Sequence, residues 1–151
     1  MRLSTVGTAT VLGVALAVVA VGAAGSKETA GATKTLSFQG KNPSGGLIDI
    51  GDQGLSPGDP VVVTEQLASG GRTVGRVDTI CTMTHTPPRA RCAATAVLPG
   101  GDISTAGILV NPTQPHTEAI TGGTGKFKRA RGTATIRPGK AGDDVTFKVL
   151  P

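Results

Sequence analysis

The chain has no tryptophan, no tyrosine and only three phenylalanines among its 151 residues. Proteins that hold single-stranded nucleic acid usually set aromatic platforms beside basic side chains. That partner is therefore not expected for the basic stretch Lys126, Lys128, Arg129, Arg131 and Arg137, which reads as a solvated strand face. Charged residues make up only 17%, too few for the highly charged composition of a disordered chain. His85 and His116 each stand alone, with no second imidazole at metal-ligand spacing, so no metal site and no cofactor is expected. The two cysteines, Cys81 and Cys92, lie far from the amino terminus, which removes the basis for a lipid anchor there.

Other familiar sites fail on spacing. The run Gly122-Gly123-Thr124-Gly125-Lys126 invites a phosphate-loop reading, but the first glycine would have to stand at Ile120, and Phe127 follows the lysine where Ser or Thr is required. The segment from Asp49 to Asp59 is no calcium loop, because Gly51 occupies a ligand position. There is no G-x-S-x-G elbow. Both possible glycosylation sites, Asn42-Pro43-Ser44 and Asn111-Pro112-Thr113, carry proline at the forbidden position.

What is present begins with an export signal. Arg2 supplies a positive start, Val11 to Val21 is a charge-free apolar run, and Gly22-Ala23-Ala24-Gly25-Ser26 offers small residues for cleavage. The run is shorter than the ~20 residues that span a bilayer. Residues 1–30 are thus expected to be a signal peptide and the product secreted; an uncleaved anchor is the other reading. Residues 33–151 then form one domain, large enough to fold on its own core. Its net charge, +5 for the whole chain, permits weak attachment to anionic surfaces.

In that domain Val, Thr and Ile segments alternate with clusters drawn from 23 glycines and 10 prolines. This is the pattern of an all-β fold. Strands are expected at 33–39, 47–50, 60–67, 73–84, 90–98, 103–110, 116–121, 132–137 and 145–150, the second of them short: nine segments for about eight strands in all. A bulge is expected near Gly75, and no helix longer than a turn. Short antiparallel strands in this number favour a small eight-stranded antiparallel β-barrel, because closure removes exposed edges. Such an interior holds side chains or one small ligand.

Cys81 and Cys92 fall on the two arms of one expected hairpin. If they face each other, Thr84 pairs with Arg89 and a four-residue loop, His85-Thr86-Pro87-Pro88, closes the turn. Opposed residues of an antiparallel pair are close enough to be bridged, and export provides an oxidising compartment. A disulfide is expected; a free reactive thiol at Cys81 is the competing reading.

The run from Gly122 to Gly132, GGTGKFKRARG, resembles the GGTG-x-F-x-x-ARG corner of dirigent proteins. The middle of the chain is similar to their barrel relatives, the allene oxide cyclases, through Gly58-Asp59-Pro60-Val61, Val74-Gly75, Cys81, Gly101-Asp102-Ile103, Gly107 and Ala119-Ile120-Thr121. The likeness extends from about Gly58 to Arg137. It implies an eight-stranded barrel with an internal ligand cavity, commonly a homotrimer. In the corner, Gly122, Gly123 and Gly125 can take positive φ where other residues cannot, Phe127 is a candidate plug for one barrel end, and Arg131 a candidate donor to nearby carbonyls. Glu65 falls where the cyclases carry a polar lumen residue, and Cys81 where they carry a lumen cysteine. Alternation then turns Val61, Val63, Glu65 and Leu67 inward, with Val77, Thr79, Cys81 and Met83.

The sequence also departs from the cyclases. It has almost no aromatic side chains for a conjugated substrate, a disulfide would occupy Cys81, and the first strand offers only Gln39 where they place an acid. Allene oxide cyclisation itself is not expected. Three functions stay open. One is a cyclase- or isomerase-like barrel with Glu65 as its acid, its pKa raised among valines. The second is a non-catalytic exported barrel that binds a small hydrophobic molecule through Val61, Val63, Val77, Thr79 and Met83. The third is a structural or surface-interaction protein with a filled barrel. The competing reading of Glu65 is a solvent-facing strand residue.

Overall fold

The chain alternates β-branched residues with glycine and proline, and every long Val/Thr/Ile segment becomes a strand. The structure, a computed structural model, describes residues 32–85 and 89–151. The expected signal peptide and the apex of the Cys81–Cys92 hairpin, residues 86–88, lie outside the described residues. The strands are β1 (Lys34–Leu47), β2 (Pro60–Ser69), β3 (Arg72–His85), β4 (Arg89–Leu98), β5 (Gly101–Leu109), β6 (His116–Gly123), β7 (Gly132–Arg137) and β8 (Asp144–Val149). They pair in chain order, and β1 pairs with both β2 and β8, so the barrel is closed and wholly antiparallel. Closure leaves no unpaired edge.

The strand expected at 33–39 instead runs on to Leu47, and the short one expected at 47–50 does not form beyond that residue. Residues 34–39 pair with β8, and residues 39–47 pair with β2. Only Gln39 serves both neighbours. The Gly-, Asn- and Pro-rich stretch between them reads as a loop because its irregularity is absorbed by a bulge. The register shifts between Lys41 and Ser44, and Asn42 there has a φ of 52°. An extra bulged residue needs no ladder hydrogen bond, which is why Pro43 is tolerated in the strand.

The bulge expected near Gly75 is present: Leu67 faces Gly75, Ala68 faces Thr73, and Val74 is the extra residue. The inward phase beyond it is kept, and Arg76 and Asp78 form an outer ion pair at 3.0 Å. At the far end of β3 the expected pairing of Thr84 with Arg89 is corrected. Cys81 faces Cys92 and Met83 faces Ala90, but then the register slips and His85 faces Arg89. Thr84 instead donates its hydroxyl to the Arg89 carbonyl at 3.0 Å.

Strand order separates two ends. The turns at Gly70-Gly71 and Pro99-Gly100 and the corner after β6 lie at one end; the long connections 48–59, 110–115 and 138–143 lie at the other. The first end is packed solid by Leu67, Leu98, Ile103, Ile120, Phe127, Ala130 and Phe147, all buried. Phe147 meets Phe38 edge to face, ring centroids 6.1 Å apart.

Candidate functional site

Inward-facing residues of the strands alternate with outward ones, so the upper half of the barrel, beyond the packed end, is a cup. Its volume is about 420 Å³, within the range of small-molecule pockets. The interior is not filled, which counts against a barrel whose lumen is only packing. Val61, Val63, Val77, Thr79 and Met83, expected to face a ligand, all line it. So do Cys81 and Cys92, joined as a disulfide with Cα atoms 4.0 Å apart. Leu55, Pro112 and Pro138 come from the long connections and rim the mouth.

The rim over β2 is held by one carboxylate. Asp59 is wholly buried. Its Oδ1 accepts the Ile50 and Gly51 N–H groups at 3.0 and 3.2 Å, and its Oδ2 accepts the Ser56 N–H at 2.7 Å and the Ser56 hydroxyl at 2.9 Å. These donors, the Ile50 N–H foremost, hold its pKa below the usual carboxylate range. The Met83 N–H donates to the Asp59 carbonyl at 2.9 Å, which ties the loop to the barrel wall.

The opposite end is closed by the glycine corner, with Phe127 as its plug. Of its three glycines only Gly125 has a positive φ, 54°. Gly123 is required for another reason: a Cβ there would run into the Asp102 carbonyl and the Phe127 backbone. Gly122 has open space around it, and nothing in the structure explains it. Phe127 is buried in a short 3-10 turn, Gly125–Phe127, against the packed end. The Arg131 side chain is exposed; the residue contributes its backbone carbonyl, which accepts the Leu150 N–H at 2.9 Å.

Glu65 faces the lumen and is 6% exposed, so the solvent-facing alternative is corrected. Its Oε1 accepts the Asp143 backbone N–H at 3.2 Å. The carboxyl has space because the neighbouring residue on β1 is Gly40, where a Cβ would meet Glu65 Oε2 at 2.6 Å. Burial, and after it the Asp143 charge, push the Glu65 pKa above the ordinary value. Asp143 is also raised, first by its own burial.

The sequence reading missed the other polar residues of the cup. Glu118 and Thr105 are buried, and the Thr105 hydroxyl donates to Glu118 Oε2 at 2.6 Å. His116 Nε2 lies 3.7 Å from Glu118 Oε1. All three line the cavity with Asp143. The signal was available on β6: alternation back from the buried Ile120 turns Glu118 and His116 to the same face. Asp143 had no such signal, since it sits in a loop. Among the described residues no group of three His, Cys, Asp or Glu is placed to hold a metal ion.

A comparison with curated protein sequences finds no match. Solved structures do match. One described as "Pyocyanin demethylase" has a TM-score of 0.71 and 28% identity, over 77% of this chain and 99% of that one. The pterocarpan synthase dirigent protein GePTS1 has a TM-score of 0.61 and 20% identity, over 79% of this chain and 83% of that one. The Diels Alderase AbmU from Streptomyces koyangensis has a TM-score of 0.60 and 12% identity, over 80% of this chain and 71% of that one. The two lower identities speak for the fold alone. The sequence profile described as the "Allene oxide cyclase barrel like domain" matches residues 32–150, and with the closed eight-stranded barrel and its glycine corner this places the chain in that family.

Proposed function

We propose that this barrel takes a small hydrophobic molecule into its cup and steers its isomerisation or cyclisation, with Glu65 as the acid. The observation that carries the reading is a buried carboxyl, biased toward its protonated form, in the wall of a mostly apolar cavity closed at one end. A neutral carboxylic acid in such a place can donate a proton or a hydrogen bond to an oxygen or nitrogen of the guest. One similar structure is named for its action on pyocyanin, and a small apolar guest suits walls of Val, Ala and Met. The reading includes export, which the Cys81–Cys92 bridge supports because disulfides persist in oxidising compartments. It also includes the homotrimer: Val62, Ile80, Ala93, Ala106 and Ala119 form an outward row across five strands, a face suited to another copy.

Binding is tested with N-phenyl-1-naphthylamine, a neutral fluorophore that brightens in apolar surroundings. The expected result is saturable brightening with the wild type and with Glu65→Gln, and its loss in Val63→Phe, which fills the cup. Absence of brightening in the wild type refutes the reading. Turnover of an accepted substrate left unchanged by Glu65→Gln removes Glu65 from the chemistry, and a wild type that binds the probe but turns over no substrate is the non-catalytic binding barrel instead.

A further inference from the structure

Two glutamates face the cup, and the barrel sets them on opposite walls. In a closed ring of eight strands in chain order, β2 and β6 are four places apart in either direction. Glu65 belongs to β2 and Glu118 to β6. Each is seated in the same manner, against a glycine of the preceding strand in the ring. A Cβ at Gly40 would strike Glu65 Oε2, and one at Gly107 would meet Glu118 Cγ at 2.8 Å. The two carboxylates differ in what surrounds them. Glu65 accepts one backbone N–H and lies near Asp143. Glu118 accepts the Thr105 hydroxyl on one oxygen and has the His116 imidazole 3.7 Å from the other. A carboxylate held by a hydroxyl on one oxygen keeps its other oxygen available to accept a proton.

We infer that Glu118 is a second catalytic residue, the proton acceptor facing Glu65 across the bound molecule, with Thr105 and His116 as its positioning residues. This rests on the proposed function and names its reaction class: a proton shift within an apolar carbonyl compound or its nitrogen analogue. Glu118 takes a proton from the carbon next to the carbonyl while Glu65 gives its proton to the carbonyl oxygen. The C–H bond breaks, its electron pair forms the carbon–carbon double bond, and the O–H bond forms. The product is the enol. Return of a proton to the same or a conjugated carbon, with return of the hydroxyl proton to Glu65, completes an isomerisation that needs no oxidant, reductant or co-reactant. Half-buried His116 and Asp143 stand among the cavity-lining residues nearest the mouth, where protons exchange with water.

The test uses 2-tetralone in heavy water, read by proton NMR. The probe is small and apolar, and its activated C–H groups exchange for deuterium when an enol forms. Wild-type protein is expected to speed exchange at least tenfold over protein-free buffer at the same pH, and Glu118→Gln to abolish that gain while probe resonances still shift on binding. Glu118→Asp is expected to restore part of it, and Thr105→Val to lower the maximal rate with little change in the probe concentration giving half that rate. Circular dichroism and thermal melting establish that each variant is folded. Exchange as fast in Glu118→Gln as in the wild type overturns the inference. So does a wild type that binds the probe without speeding exchange, which leaves the binding role standing. A wild type on which neither 2-tetralone nor the fluorophore registers overturns the proposed function, and this inference with it.

Discussion

The backbone N–H of Asp143 donates to Glu65 Oε1 at 3.2 Å, across 78 residues of sequence. The contact fastens the connection between β7 and β8 to β2 and fixes the acid at the wall of the cup. It also brings a second, half-buried carboxylate near the buried first, and both have raised pKa values.

The burial of Glu65 carries a pH signature. Its pKa in the folded chain lies above the ordinary 4.5, so folding favours the protonated form. The stability this contributes is whole below pH 4.5 and is lost as pH rises through the folded value. Glu65→Gln, which cannot ionise, is therefore expected to match the wild type in acid and to exceed it at pH 8, by on the order of 1 kcal/mol. Urea melts at the two pH values measure this. A constant difference at both would mean that the Glu65 carboxyl titrates as it does in water.

Asp59 has the opposite sign. Its pKa is held below the ordinary 3.8 by N–H donors, so its contribution is present above that value and is lost as pH falls through the folded one. Asp59→Asn removes the charge and points an NH₂ at donors. Hydrogen exchange at the Ile50, Gly51 and Ser56 amides is expected to quicken in the variant at pH 7 and in the wild type in strong acid. Protected amides in the variant would show that the rim is held by something else.

The disulfide closes a short loop, with a sequence separation of 11. Replacing both Cys81 and Cys92 by alanine is expected to cost about 3 kcal/mol in urea melts under oxidising conditions. Turnover of any accepted substrate by the folded variant should persist, since neither sulfur is free to act as a nucleophile. Loss of turnover at full folding would assign chemistry to the bridge.

Phe127 tests the division between packed end and cup. Phe127→Ala is expected to destabilise the barrel by about 3–5 kcal/mol. Because Phe127 does not line the cup, the folded variant should still bind the fluorophore with unchanged affinity. A matching loss of affinity would mean that the two halves of the interior are one compartment.

The wall of the cup was largely legible in the sequence. Strand alternation needs only local spacing, and it set Val61, Val63, Glu65, Val77, Thr79 and Met83 on one face once the first inward residue was chosen. The Cys81–Cys92 pairing was legible for the same reason, because hairpin register is arithmetic. The arithmetic failed past Met83, where a slip in register adds a residue. It failed again in β1, where the bulge at Asn42-Pro43 imitates a loop.

The other half of the site was not legible in this way. Glu118 and His116 share the correct alternation on β6, but their chemistry needs Thr105 from β5 and Asp143 from a loop, and no spacing within one segment relates them. By itself the sequence determined an all-β chain, the strand that carries each inward residue and the glycine corner at one end. Only the tertiary structure decided that the interior is packed at that end and empty at the other, because a void depends on the volumes that all eight strands bring together. Closure of the ring likewise decided that Glu65 and Glu118 face each other, since the angle between two strands exists only when the last strand meets the first.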